Sequence, residues 1–91
     1  MSPFIVSAVS EVDAFRVMYG WKMGSKSGAF IRLAGYHGPR KGAPGYEKAV
    51  KMLTALVLGK QIHVGKVVKV KGKDLVAEVY VNGRNINEFI N

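Results

Sequence analysis

The stretch YEKAVKMLTALVLGK, residues 46–60, decides how the rest of the chain is arranged. Tyr46, Ala49, Val50, Leu53, Leu56 and Val57 recur at the three- and four-residue spacing of one helix face. Pro44 precedes the segment, Glu47 lies in its first turn, and Gly59 with Lys60 closes it, which are helix start and stop signals. On both sides the rhythm changes to two. Upstream, PFIVSAVS (3–10) alternates apolar with small polar residues. AFRVMYGWKM (14–23) reads as a second strand that turns at Gly20 and continues beyond it, and AFIRLAG (29–35) as a third, apolar enough to be central. Downstream, QIHVGKVVKV (61–70) and LVAEVYV (75–81) are two more strands. GSKSG (24–28) and KGKD (71–74) are turns, Asn82-Gly83 is a tight-turn signal, and NINEFIN (85–91) begins a short helix.

Three strands, a helix and two strands predict a mainly β (α+β) fold with a single helix. A five-stranded OB-type Greek-key barrel, its helix between strands three and four, has this order. The rival is a small α+β sandwich with the helix on one face. No linker, repeat or low-complexity tract divides the chain, so residues 1–91 are expected to form one domain.

Composition narrows the chemistry. The chain has no cysteine, which excludes disulfides, zinc-thiolate sites and thiol nucleophiles. The first residues, MSPFIVSAVSEVDAF, lack a basic region ahead of a long apolar run, so no signal peptide is expected. No apolar run approaches the roughly 18–20 residues that span a bilayer, and the expected location is cytoplasmic, away from membranes. Fourteen lysines and arginines against six acids give a net charge of +8, which favours a polyanionic partner such as nucleic acid or an acidic protein surface.

Several residues carry candidate chemistry. Glu11 and Asp13 are two apart, so on one strand both carboxylates face the same way and can point at one cation; otherwise they are turn residues. Arg32 interrupts the apolar run FIRLAG and either finds an anion, carboxylate or phosphate, or faces solvent. The loop that follows, YHGPRKG (36–42), carries Tyr36, His37, Arg40 and Lys41 but lacks the spacing of a phosphate-binding P-loop. His63 is expected on the surface or barrel wall. Lys66, Lys69, Lys71 and Lys73 make a basic run, and aromatic residues including Tyr19, Trp21, Tyr36 and Tyr46 are distributed over the other elements. Rings beside a positive groove are how OB folds hold single strands, although Phe15, Phe30 and Tyr80 are expected in the core.

These motifs carry a family resemblance. EVDAFRV, IRLAGYHGPRKG and VAEVYVNGRNINEF resemble, in order, three motifs of the staphylococcal-nuclease-like (thermonuclease) domain. These are its Asp-Gly-Asp-Thr entry to strand two, its Arg-Leu strand with an Asp-x-Pro-Glu loop, and its final strand and turn. The likeness runs from about Val6 to Phe89 and implies the same OB-type barrel. It places Asp13 on a metal-binding aspartate and Arg32 on the arginine that meets the scissile phosphate. His37 stands where the family has a loop aspartate, Gly38 before the retained Pro39, and Arg40 in place of the glutamate that positions the attacking water. The later Tyr-Gly-Arg arginine is matched by either Lys73 or Asp74. The family's C-terminal helices have no counterpart before Asn91.

Hydrolysis assisted by one hard cation needs carboxylates to hold the ion and a group to orient water. His37 and Arg40 remove both from the loop and add positive charge. The expectation is therefore a catalytically degenerate nuclease-like domain that binds nucleic acid, or another anion, through the former substrate face. Arg32, Arg40 and Lys41 would contact phosphates, Tyr36 or Trp21 would stack, and Lys71 and Lys73 would line the rim. No cofactor is then required. The alternative is a divergent metal-dependent nuclease using Asp13, Glu11 and His37 with Ca2+, Mg2+ or Mn2+. A third reading is a protein-interaction or inhibitor module with a protein partner or a second copy of itself.

Overall fold

The structure, a computed structural model, describes residues 3–90. Its strands are β1 (Phe4–Glu11), β2 (Ala14–Met23), β3 (Lys26–Leu33), β4 (Gln61–Lys71), β5 (Asp74–Val81) and the short β6 (Arg84–Asn85). The helices are α1 (Tyr46–Val57) and α2 (Asn87–Ile90). β1 to β3 form an antiparallel meander, β4 pairs with both β1 and β5, and β3 runs parallel to β5. That parallel seam, with Ile31 beside Leu75 and Leu33 beside Ala77, closes five strands into a barrel. The fold is the OB-type α+β barrel, with α1 between strands three and four. The sandwich alternative is set aside, because an open sheet would leave β3 and β5 as unpaired edges.

Alternation along the strands fills the interior. Phe15 and Val17 from β2, Ile31 and Leu33 from β3, Ile62 and Val64 from β4, and Leu75, Ala77 and Val79 from β5 are all buried there. One face of α1 seals the barrel through Leu53 and Val57, joined by Ile86 from the C-terminal segment. The helix then runs directly into the sheet. Gly59 N–H donates to the Val6 carbonyl at 2.9 Å, and Val6 N–H donates to the Lys60 carbonyl at 3.2 Å. Gly59 sits at φ +74°, a turn that glycine makes without strain.

Element boundaries moved where backbone pairing outruns the apolar pattern. Only Gly24 and Ser25 form the turn expected over 24–28, because Lys26 pairs with Met23 and Ser27 with Lys22. β5 begins one residue early, at Asp74, which pairs with Lys71. β6 has no apolar pattern of its own; the Asn82-Gly83 turn, both residues at positive φ, folds Arg84 and Asn85 back onto β5. The short helix appears at 87–90, and Asn91 lies outside the described residues. Phe30 and Tyr80 are half-buried rather than in the core. Each alternates with an inward neighbour, Ile31 or Val79, so its ring faces outward. The Tyr80 ring fills the space beside Gly65.

Candidate functional site

The β1–β2 turn, the end of β3 and the loop from 36 to 41 meet around a cleft of about 590 Å3. Glu11, Asp13, Arg32, Tyr36, His37, Arg40, Lys41 and Tyr46 all line it. The fold makes this meeting. Ala14 pairs with Arg32 across the β2–β3 ladder, and Leu33 N–H donates to the Asp13 carbonyl at 2.7 Å. Both hold the acidic turn against the arginine. Asn87 secures the other side of the loop, its Nδ2 donating to the Ala34 carbonyl at 2.9 Å.

The guanidinium of Arg32 is the centre of the cluster. Its Nη1 donates to Asp13 Oδ1 at 2.8 Å and to Glu11 Oε2 at 3.0 Å. Its Nε and Nη2 donate to Asp74 Oδ2 at 3.3 and 3.2 Å. The arginine side chain is 29% exposed, so the cluster is partly screened rather than sealed. Burial acts to weaken its hold on the proton, but the Glu11 hydrogen bond and the Asp13 charge outweigh it. The guanidinium is held more firmly charged than an ordinary arginine. Glu11 and Asp13 do not share a strand, since Glu11 ends β1 and Asp13 lies in the turn after it; that turn brings both carboxylates onto Arg32.

This geometry limits the chemistry. A hard divalent ion needs several carboxylate or carbonyl oxygens at one point. Glu11 and Asp13 are bonded to Arg32, the basic side chains that the loop adds to the cleft are His37, Arg40 and Lys41, none of them an oxygen donor, and no group of three or more His, Asp or Glu among the described residues is placed to hold a metal. Among the described residues, this donor set does not fit a hard divalent ion. Asp74 is the third carboxylate on Arg32, 42 residues away in the chain, a partnership that only the fold creates.

Other candidates separate from the cleft. Trp21 is 4% exposed, and its Nε1–H donates to the Phe30 carbonyl at 2.7 Å, so it is a core residue and not a stacking group. Tyr36 is half-buried with Gly38 pressed against its ring, which leaves little of that ring open. His37, Arg40 and Lys41 are exposed. Lys73 lines a different concavity, Lys71 is exposed at the end of β4, and His63 lies exposed opposite Tyr80. No helix among the described residues is long and apolar enough to cross a membrane. No protein-family model matches this chain, and no curated protein is similar enough to count as a relative.

Removing Arg32 tests the cluster's structural role. In Arg32→Ala three carboxylates face one another without a cation, and the expected loss is about 1–3 kcal/mol, reduced from the fully buried case by partial exposure. Equilibrium urea unfolding reads it directly. Adding Glu11→Gln and Asp13→Asn to Arg32→Ala should restore much of the loss. Arg32→Lys should fall between, because one ammonium cannot bridge both edges of the cluster.

Proposed function

We propose that this domain binds nucleic acid on a face laid out like a phosphodiesterase site, and does not cut it. The observation that carries this reading is the distribution of charge. Of fourteen lysines and arginines, Arg32 alone takes up three of the six acids. The remaining thirteen have no carboxylate partner among the described residues. Half of the acids are drawn into one partly screened cluster around a single arginine, while thirteen cations are left without a carboxylate partner among the described residues, which is the electrostatic footprint of a polyanion binder.

At the cleft, Arg40 and Lys41 are the cations free to meet phosphates, with His37 beside them. Four of the five Arg32 N–H donors already go to carboxylates, so Arg32 holds the acidic wall of the cleft and leaves phosphate contact to Arg40 and Lys41. The start of α1, at Tyr46, borders the same cleft and adds the positive end of a helix dipole. The thermonuclease resemblance supports the location, and the loss of both loop acids supports binding over hydrolysis. The nuclease reading would require Asp13 and Glu11 to exchange Arg32 for a metal.

A combined gel-shift and cleavage assay on labelled DNA and RNA tests both halves. The expected result is binding that weakens steeply with salt, and intact substrate with Ca2+, Mg2+, Mn2+ or none. Absence of binding at low salt would overturn the reading. Metal-dependent cleavage that disappears in Asp13→Ala would overturn its second half.

A further inference from the structure

β2 departs from regular pairing at one place. Arg16 pairs with Phe30 and Trp21 with Gly28, so residues 17–20 stand opposite Ala29 alone. Tyr19 and Gly20 both take left-handed backbone angles, φ 65° and 69°. Glycine adopts this region freely, whereas tyrosine is strained there. The Tyr19 side chain is also fully exposed, at 100%. Neither backbone preference nor burial accounts for a tyrosine at this position.

The bulge is nevertheless held firmly. Trp21 anchors its far end in the core and is bonded to the Phe30 carbonyl. Gly20 lies so close to the Gly28 carbonyl that no Cβ would fit, and Gly28 stands equally close to the Lys73 carbonyl. Bulges of this kind re-aim a side chain, and strained residues that persist cluster at binding sites. Around Tyr19 the outer surface forms a concavity of about 990 Å3 whose charged lining is Arg16, Lys22 and Lys73, with no acid.

We infer that Tyr19 is a stacking platform for an unpaired base of single-stranded nucleic acid, whose phosphates lie against Arg16, Lys22 and Lys73. A presented ring with cations beside it matches the two halves of a single-strand ligand, base face and phosphate. A duplex keeps its base faces stacked away from such a ring. An acidic protein surface would use the cations but gives no reason for a strained, exposed tyrosine. The inference rests on the nucleic-acid reading for its class of polymer. It shares no lining residue with the loop cleft, so the two fail separately.

Fluorescence anisotropy with a short labelled oligothymidylate, an oligouridylate and a duplex tests it, using the full chain at low salt. Tyr19→Ala should weaken single-strand binding about five- to a hundredfold, the range for loss of one stacked base, and leave duplex binding unchanged. Tyr19→Phe should retain affinity. Tyr19→Gly should lose affinity yet unfold at higher denaturant, because the left-handed strain is relieved. Trp21, the single tryptophan, lines the concavity, and its fluorescence should change on oligonucleotide binding in the wild type and not in Tyr19→Ala. Wild-type affinity in Tyr19→Ala, with loss in Arg40→Ala combined with Lys41→Ala, overturns this inference and keeps the loop-cleft reading. Equal loss of single-strand and duplex binding in Tyr19→Ala also overturns it. Binding of polyglutamate in place of any oligonucleotide overturns both.

Discussion

Arg40→Glu combined with Lys41→Glu is expected to remove most nucleic-acid binding while leaving the fold intact. Both side chains are exposed and neither has a side-chain hydrogen bond or ion pair among the described residues, so their replacement leaves no group unsatisfied. Neutralisation sets a lower bound on the effect. Each single-strand phosphate contact contributes about 0.7 to the slope of log K against log salt. Arg40→Ala with Lys41→Ala should therefore shed about 1.4 from that slope and roughly fifteenfold in affinity near 0.15 M salt. Charge reversal adds repulsion and should take the loss to the order of a hundredfold. Anisotropy titrations at several salt concentrations, with urea unfolding as a control, separate the two contributions. An unchanged salt slope would place the phosphates elsewhere on the molecule.

Leu53→Ala is expected to have the largest effect on stability. Leu53 is fully buried where α1 seals the barrel, packed within the cluster that includes Val57, Ile62 and Ile86. Truncation leaves a cavity between a helix and a closed sheet, neither of which collapses easily, and such changes cost about 2–5 kcal/mol. Domains of this size have on the order of 5–10 kcal/mol in total, so the variant should approach the edge of folding. A fall in Tm of about 10–25 °C is expected by circular dichroism. Leu53→Met, which nearly conserves volume, should recover most of it. A loss under about 1 kcal/mol would mean that α1 docks loosely.

The fold was legible because its two rhythms are clean. A helical period over 46–57 flanked by period-two segments admits few closed arrangements, and β2 appears at the expected residues. Short pairings whose added residues are polar, such as Lys26 on Met23 and the two residues of β6 on β5, leave no hydrophobic period in the sequence. At the site, two-residue spacing would put Glu11 and Asp13 on one strand face, but Glu11 ends β1 and Asp13 lies in the turn, so it is the turn and not strand alternation that brings their carboxylates together. Spacing does not give their target, because Arg32 lies 19 and 21 residues away and Asp74 a further 42 beyond it. Tyr19 was hidden by its own strand. Alternation through Phe15 and Val17 would turn it inward, and the bulge throws it out before Trp21 returns to the core. The Tyr-Gly pair inside a strand was the available clue, since an isolated glycine in a strand pattern marks bulges.

The parallel seam between β3 and β5 also sets the order in which the molecule can assemble. The meander β1–β3 and the hairpin β4–β5 are each built from neighbours in the chain, whereas Arg32 and Asp74 are 42 positions apart. Joining them costs about 3 kcal/mol of loop entropy before any contact across the seam rewards it. Closure is thus expected late, and Arg32 spans it, gripping Glu11 and Asp13 on the meander side and Asp74 on the hairpin side. Its removal should show mainly as faster opening, with the rate of folding nearly unchanged. Arg32 is thus expected to set how long the barrel stays shut.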